Sequence, residues 1–238
     1  GPLAPPEAGT EVFAMDTLGG TSPNPPGFYS GWPVDLALIT RRAEAEPRTV
    51  YDRLRGSSVE LRTNDTSAEQ SATNALFDQM NGYYEGGSVV SDIFSWMWKR
   101  APNYFDAVAY TGTGVAGRTV SHNLGVAPEM MWVKRRNTTD SWAVFLPSLL
   151  GNTKALVLDQ TLATFTYDGF NDTDPSDTAF TLGSDGSVNA SGSTYIAYLF
   201  ATLAGVSKVS SYTGNGSSQT INAGFTAGAR FILIKRTD

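Results

Sequence analysis

The chain has 238 residues, 41% hydrophobic and only 17% charged, with 24 glycines and 12 prolines. That composition favours a turn-rich β protein over a helical one and is enough to fill one large or two small cores. A net charge of −6 argues against a surface built to bind phosphates, and the absence of cysteine excludes a disulfide framework or a thiolate metal or redox site.

Residues 1–11 are Pro-rich and aperiodic, which reads as an extended arm or linker. The opening GPLAPPEAG lacks a charged region followed by an apolar run, so it does not read as a signal peptide. No stretch approaches the ~18 apolar residues of a membrane span, so no membrane insertion is expected. Both ends read as cut from a longer protein.

The rest divides by internal register. Thr17 and Thr111 are 94 positions apart, as are Gly20 and Gly114, Arg41 and Arg135, Arg42 and Arg136, and Tyr51 and Phe145. After one inserted residue, Leu61 meets Leu156 and Thr66 meets Thr161 at 95. Val120 pairs with Ile221, and Lys134 with Lys235, at 101. Sustained register is the mark of a repeat architecture. Unit one covers 12–105, unit two 106–205, and a third unit begins at 206 and stops after its first two strands.

Within unit two the pattern is nearly all strand. Segments 118–121, 142–146, 155–158, 164–167, 179–182 and 194–199 read as strands. Residues 129–134 are apolar on both faces, Met130 and Trp132 against Met131 and Val133, as expected between layers. Ser184-Asp185-Gly186 carries a hairpin-type turn signal. In unit one, SAEQSATNALFD (67–78) is the one helix candidate. Many short strands at this spacing imply an all-β fold of tandem antiparallel β-sandwich or jelly-roll repeats of about 95–100 residues. The joins at 101–105 and 203–206 are short, so consecutive units are expected to pack stiffly end to end.

Few residues point to chemistry. His122 is the one histidine, with Phe28 and Ala223 in its place in the other copies, and no Gly-x-Ser-x-Gly element accompanies it. It reads as a loop hydrogen-bonding residue. No strand carries the paired carboxylates a glycosidase needs, so no catalytic residue is expected. The loop NDTDPSD places Asp172, Asp174 and Asp177 close in sequence, where Ca²⁺ would be the fitting ion, although an ordinary turn fits as well. Glycan contact would use exposed aromatic rings; the candidates are Trp142 beside a turn, and Tyr83 and Tyr84 in the loop 81–87. The basic ends at Arg41-Arg42, Lys134-Arg135-Arg136 and Lys235-Arg236 recur in every unit. They read as structural, pairing with acids of the adjoining unit.

YTGTGVAGRTVSHNLGVAPEMMWVKRR (110–136) and TLGSDGSVNASGSTYIAYLF (181–200) together resemble a repeated domain of tailed, marine-type bacteriophage structural proteins. Such domains are similar to laminin-G and concanavalin-like lectin sandwiches. The resemblance covers about 94–238 clearly and 11–84 more weakly, where DTLGG stands for YTGTG and GYYEGGSVV for LGSDGSVNA. It implies a virion location and a tail-fibre or appendage role, with units running on beyond KRTD, and it transfers no catalytic residue. Other virion proteins, further copies of the chain as a trimer, and a host-surface glycan are then the expected partners. A free carbohydrate-binding module and a polysaccharide depolymerase are the alternatives.

Overall fold

The computed structural model describes residues 4–19, 27–41, 47–72, 75–85 and 91–238. In the first half the strands are β1 (Phe13–Gly19), β2 (Phe28–Tyr29), β3 (Leu36–Arg41), β4 (Thr49–Asp52), β5 (Val59–Arg62), β6 (Gln70–Ser71), β7 (Ala75–Leu76), β8 (Gly82–Glu85) and β9 (Ser91–Trp98). In the second they are β10 (Phe105–Thr111), β11 (Arg118–Ser121), β12 (Met130–Arg135), β13 (Ala143–Phe145), β14 (Lys154–Val157), β15 (Phe165–Thr166), β16 (Ala179–Leu182) and β17 (Thr194–Phe200). Two short helices, α1 (Pro147–Leu150) and α2 (Gly186–Asn189), interrupt them.

Two six-stranded antiparallel sheets dominate, in the orders β1-β9-β3-β4-β5-β6 and β10-β17-β12-β13-β14-β15. Each half thus inserts its closing strand, β9 or β17, between its first strand and the strand before the basic residues. Two small sheets, β2-β8-β7 and β11-β16, complete the fold.

The strand period of two explains the burial. On β17, Ile196, Tyr198 and Phe200 enter one apolar cluster, while Tyr195, Ala197 and Leu199 enter another. On β12, Trp132 divides from Met131 and Val133 in the same way, and on β3 Leu36 divides from Ala37 and Ile39. One cluster lies between the first large sheet and β2-β8-β7. A second lies between the other large sheet and β11-β16. The third joins the two large sheets, with Phe13, Leu36, Val50, Leu61 and Trp98 meeting Phe105, Trp132, Trp142, Leu156 and Tyr198.

The halves therefore meet face to face, not end to end. The direction of the turn at the join is the reason. Ala101 N bonds Phe105 O and Phe105 N bonds Ala101 O, a tight reversal that lays β10 back over the first sheet. A similar turn closes 203–207, where Leu203 N bonds Ser207 O and Ser207 N bonds Leu203 O.

Three local expectations change. Residues 67–78 form no helix where they are described; they give β6 and β7, and the register of β6 against β5 overrides their helix propensity. Asp185 does not sit in a hairpin turn but caps α2, accepting a bond from Ser187 N at 2.8 Å. Residues 208–238, where two strands were expected, contain no strand. Both large sheets build their first and third strands on a closing strand, and this sequence has none after 206.

The glycine-rich turn after β10 is held by backbone contacts. Gly112 N donates to Ser193 O at 2.7 Å, and Gly114 N to Asn189 O at 2.6 Å. A Cβ on Gly112 would fall 2.2 Å from Ala190 O. Gly112→Ala should therefore lower unfolding stability by about 1–3 kcal/mol. Gly9→Ala, with nothing within 4 Å of its added carbon, should leave denaturation midpoints unchanged.

Candidate functional site

Two of the three aromatic glycan candidates are core. Trp142 is fully buried, stacks near Tyr198 at 6.2 Å between centroids, and donates from Nε1 to Arg62 O at 2.7 Å. Its turn neighbours Asp140 and Ser141 suggested exposure, but the side chain shares the inner face with Val144 and Leu156. Tyr83 is also fully buried, stacked between Phe28 and Phe77 at 5.2 and 5.4 Å, with its hydroxyl 2.8 Å from Ser95 Oγ. Strand β8 runs through the proposed loop, and period two sends Tyr83 inward. Tyr84, opposite Leu76, faces the other way and is half-buried. Tyr29, opposite Gly82 and 57% exposed, shares that outer face. The short apolar pair Phe28-Tyr29 was the sequence signal for it. Gly86 and Gly87 of the proposed loop, and Arg42 of the first basic pair, lie outside the described residues.

The acidic loop does not converge on a cation. Asp172, Asp174 and Asp177 are all exposed, and among the described residues no three carboxylate or imidazole side chains gather where they could hold a metal. Asn171 and Asp172 instead take the left-handed conformation, with φ of 56° and 46°. Asn171 O accepts from Thr173 Oγ1 at 2.6 Å, a turn of the kind Asn and Asp favour.

His122 is buried against Phe180 and bonded on both ring nitrogens. Nδ1 accepts from Leu124 N at 3.2 Å, which leaves Nε2 to donate to Ser176 O at 3.2 Å. Burial lowers its pKa below the usual 6.5, opposed by the Ser176 bond and the charges of Asp106 and Asp177. The ring is a neutral clasp on the loop 176–179.

The strongest concentration of charge lies where the halves meet. Arg55 is buried; its Nε donates to Asp52 Oδ2, Nη2 to Val50 O at 2.7 Å, and Nη1 to Glu69 Oε2 at 3.2 Å. Tyr198, from β17 of the other half, donates to Asp52 Oδ2 at 2.6 Å. Burial works against the Arg55 charge, but Tyr198, Asp52 and Glu69 more than offset it and raise its pKa. Arg136 then grips Glu69 with two bonds, Nε to Oε2 at 2.9 Å and Nη2 to Oε1 at 2.8 Å. Lys134 Nζ donates to Thr66 O at 3.1 Å and Asp140 O at 2.6 Å. Two backbone bonds complete the seam, Glu69 N to Arg136 O and Asp140 N to Thr66 O. The basic strand end of the second half thus pairs with the first half, the structural role expected for it.

One perturbed carboxyl was missed in sequence. Burial raises the pKa of Glu85 on β8, and the charge of Glu60 on β5 raises it further against Arg41. Glu60 also accepts from Arg62 Nε and Nη2 at 3.0 and 2.9 Å. Strands β5 and β8 belong to different sheets, so only the folded chain brings these acids into range.

Residues 13–238 match the family model described as Domain of unknown function (DUF7483), and the chain belongs to that family. No curated protein and no solved structure matches it.

Two outcomes follow from this geometry. Tyr198→Phe leaves Asp52 and Arg55 one partner short in a buried site, and should cost about 1–3 kcal/mol in chemical denaturation. The lowered His122 pKa means that the unfolded chain binds more protons than the folded one below pH 6.5. Stability should therefore fall as pH drops below 6.5 and stop falling below the folded-state pKa. His122→Gln should remove this part of the pH dependence in matched denaturation series.

Proposed function

We propose that this DUF7483 chain is a bacteriophage virion structural protein of the appendage or tail-fibre type, built of tandem β-sandwich units. On this reading residues 12–105 and 106–205 are one sandwich each. The six-stranded sheets face each other, and β2-β8-β7 and β11-β16 form the outer layers. The observation that carries the reading is the common strand order of the two large sheets, together with the 94-residue register between them. The residues that resemble phage structural repeats serve this frame. Tyr110 donates to Val188 O at 2.8 Å, Tyr195 donates to Gly186 O at 2.6 Å, and Asn189 Nδ2 donates to Gly183 O at 2.6 Å.

Its partners are other virion proteins and further copies of itself, with three-fold assembly as the expected symmetry. A surface polysaccharide of the host is the ligand the outer face would meet, through Tyr84 and Tyr29 rather than Trp142 or Tyr83. Immunogold labelling of intact particles with antibody to this chain tests the reading. Label at one fixed site on the particle is expected. Particles that never label, although the antibody detects the purified chain, would refute it.

The depolymerase alternative keeps one specific observation, the carboxyl of Glu85, whose pKa burial raises and the charge of Glu60 raises further. Release of reducing ends from host polysaccharide, abolished by Glu85→Gln, would favour it over a purely structural role. No release by the parent chain would remove it.

A further inference from the structure

The face that the first large sheet turns toward the second half is covered unevenly. Trp98 of β9 is buried in the shared core, whereas Trp96, two residues back on the same face, is half-buried. Its cross-strand neighbours are Met15 of β1 and Leu38 of β3. The Phe231 ring packs on Trp96 at 5.6 Å between centroids. Beside this contact lies a groove of about 280 Å³. Leu38, Trp96 and Phe231 supply its apolar lining, and Thr63, Arg48 and Arg230 its polar lining. Among the described residues no carboxylate lines it. Arg230 is exposed and forms no ion pair or hydrogen bond among the described residues. The rim is open to solvent at Ile232, which is 68% exposed.

We propose that this groove binds one acidic sugar residue, a hexuronate within a polysaccharide chain. Its ring lies on the apolar lining and its carboxylate meets Arg230. The volume falls at the small end of ligand sites, roughly 300–1,000 Å³, so it admits one ring and not an oligomer. Aromatic walls with a few polar groups suit the apolar face of a sugar. Charge selects the acid over a neutral sugar. Two guanidiniums line the groove on a chain whose total charge is −6, so its local sign opposes that of the molecule. A planar guanidinium also matches a carboxylate with two parallel hydrogen bonds. Thr63 Oγ1 donates to Arg48 O at 3.3 Å, which leaves its lone pairs for a sugar hydroxyl. An aromatic acid would share the ring and the charge, but the open rim and the Thr63 oxygen favour a hydroxylated ring that continues into a chain. The inference rests on the host-polysaccharide reading above. It names the sugar class and adds to Tyr84 and Tyr29 a second place of contact.

The test is a ligand-observed NMR titration of the chain with tetragalacturonate at low salt. The fully methyl-esterified tetramer serves as the neutral control and 4-hydroxybenzoate as the aromatic acid. The acid tetramer should bind at least about ten-fold more tightly than the ester, and Arg230→Glu should weaken it by about ten-fold or more. Because Arg230 is exposed, this variant should keep the parent's unfolding midpoint, which separates loss of the site from loss of the fold. Thr63→Val should weaken binding of the tetramer but not of 4-hydroxybenzoate. No binding of the acid tetramer, equal binding of the ester, or binding that Arg230→Glu leaves unchanged overturns the proposal. Tighter binding of 4-hydroxybenzoate overturns the sugar assignment. Binding abolished by Tyr29→Ala with Tyr84→Ala, and not by Arg230→Glu, overturns the groove and leaves the outer-face contact standing. Particles that never label would refute the virion reading without altering these titrations.

Discussion

The apolar core shared by the two large sheets is the constraint on which the rest depends. Leu61, Trp98, Trp132, Trp142, Leu156 and Tyr198 all lie in it, and each half would expose its part without the other. Burying one Leu-sized side chain is worth about 1.5–3 kcal/mol, so this face alone outweighs any single polar contact in the seam. The polar contacts act on register. Asp52 and Arg55 form a buried ion pair, in which removal of one charge strands the other at a cost of about 3–5 kcal/mol, and Tyr198 adds a hydrogen bond to it from the other half. Arg136 on Glu69 and Lys134 on Thr66 fix the same alignment at the strand ends.

The stretch 110–136 takes its meaning from this arrangement. Its glycines, its histidine and its basic run resemble the parts of a chemical site. Each has a structural role instead. Gly112 lets the backbone approach Ala190, His122 ties a loop, and Lys134 and Arg136 reach across to the other half. These residues build the frame, and the side chains facing outward from the small sheets differ between the halves. Tyr29 and Tyr84 occupy that surface in the first half, where the outer face of β11-β16 carries Thr119, Ser121 and Thr181.

Much of the fold was legible because strand burial follows a period of two. The two-faced apolar run Met130, Met131, Trp132, Val133 announced a strand between layers, and β12 is one. Seven of the eight strands of the second half fall within a residue or two of where alternation placed them, while β10 (Phe105–Thr111) had no segment placed on it. What alternation does not encode is the partner of each face. Trp142 was read as exposed because its partners, Arg62 and Tyr198, are 80 and 56 positions away. Tyr83 was read as a loop tip because the flanking glycines hide a strand whose neighbours are Phe28 and Phe77. The face-to-face arrangement was missed for a related reason: a short join sets how close two units lie, while the direction of its turn sets which surfaces touch.

Equilibrium unfolding followed separately in each half tests the shared core most directly. Spectroscopic probes would be placed on the outer faces of β2-β8-β7 and β11-β16, with Leu61→Ala as the perturbation. Leu61 belongs to the first half and touches the core from that side alone. If the core is shared, the two probes report one coincident transition, and Leu61→Ala moves both midpoints together by the 2–5 kcal/mol typical of such a truncation, to about that order. Two separate transitions, with only the first-half probe responding to Leu61→Ala, would contradict the account.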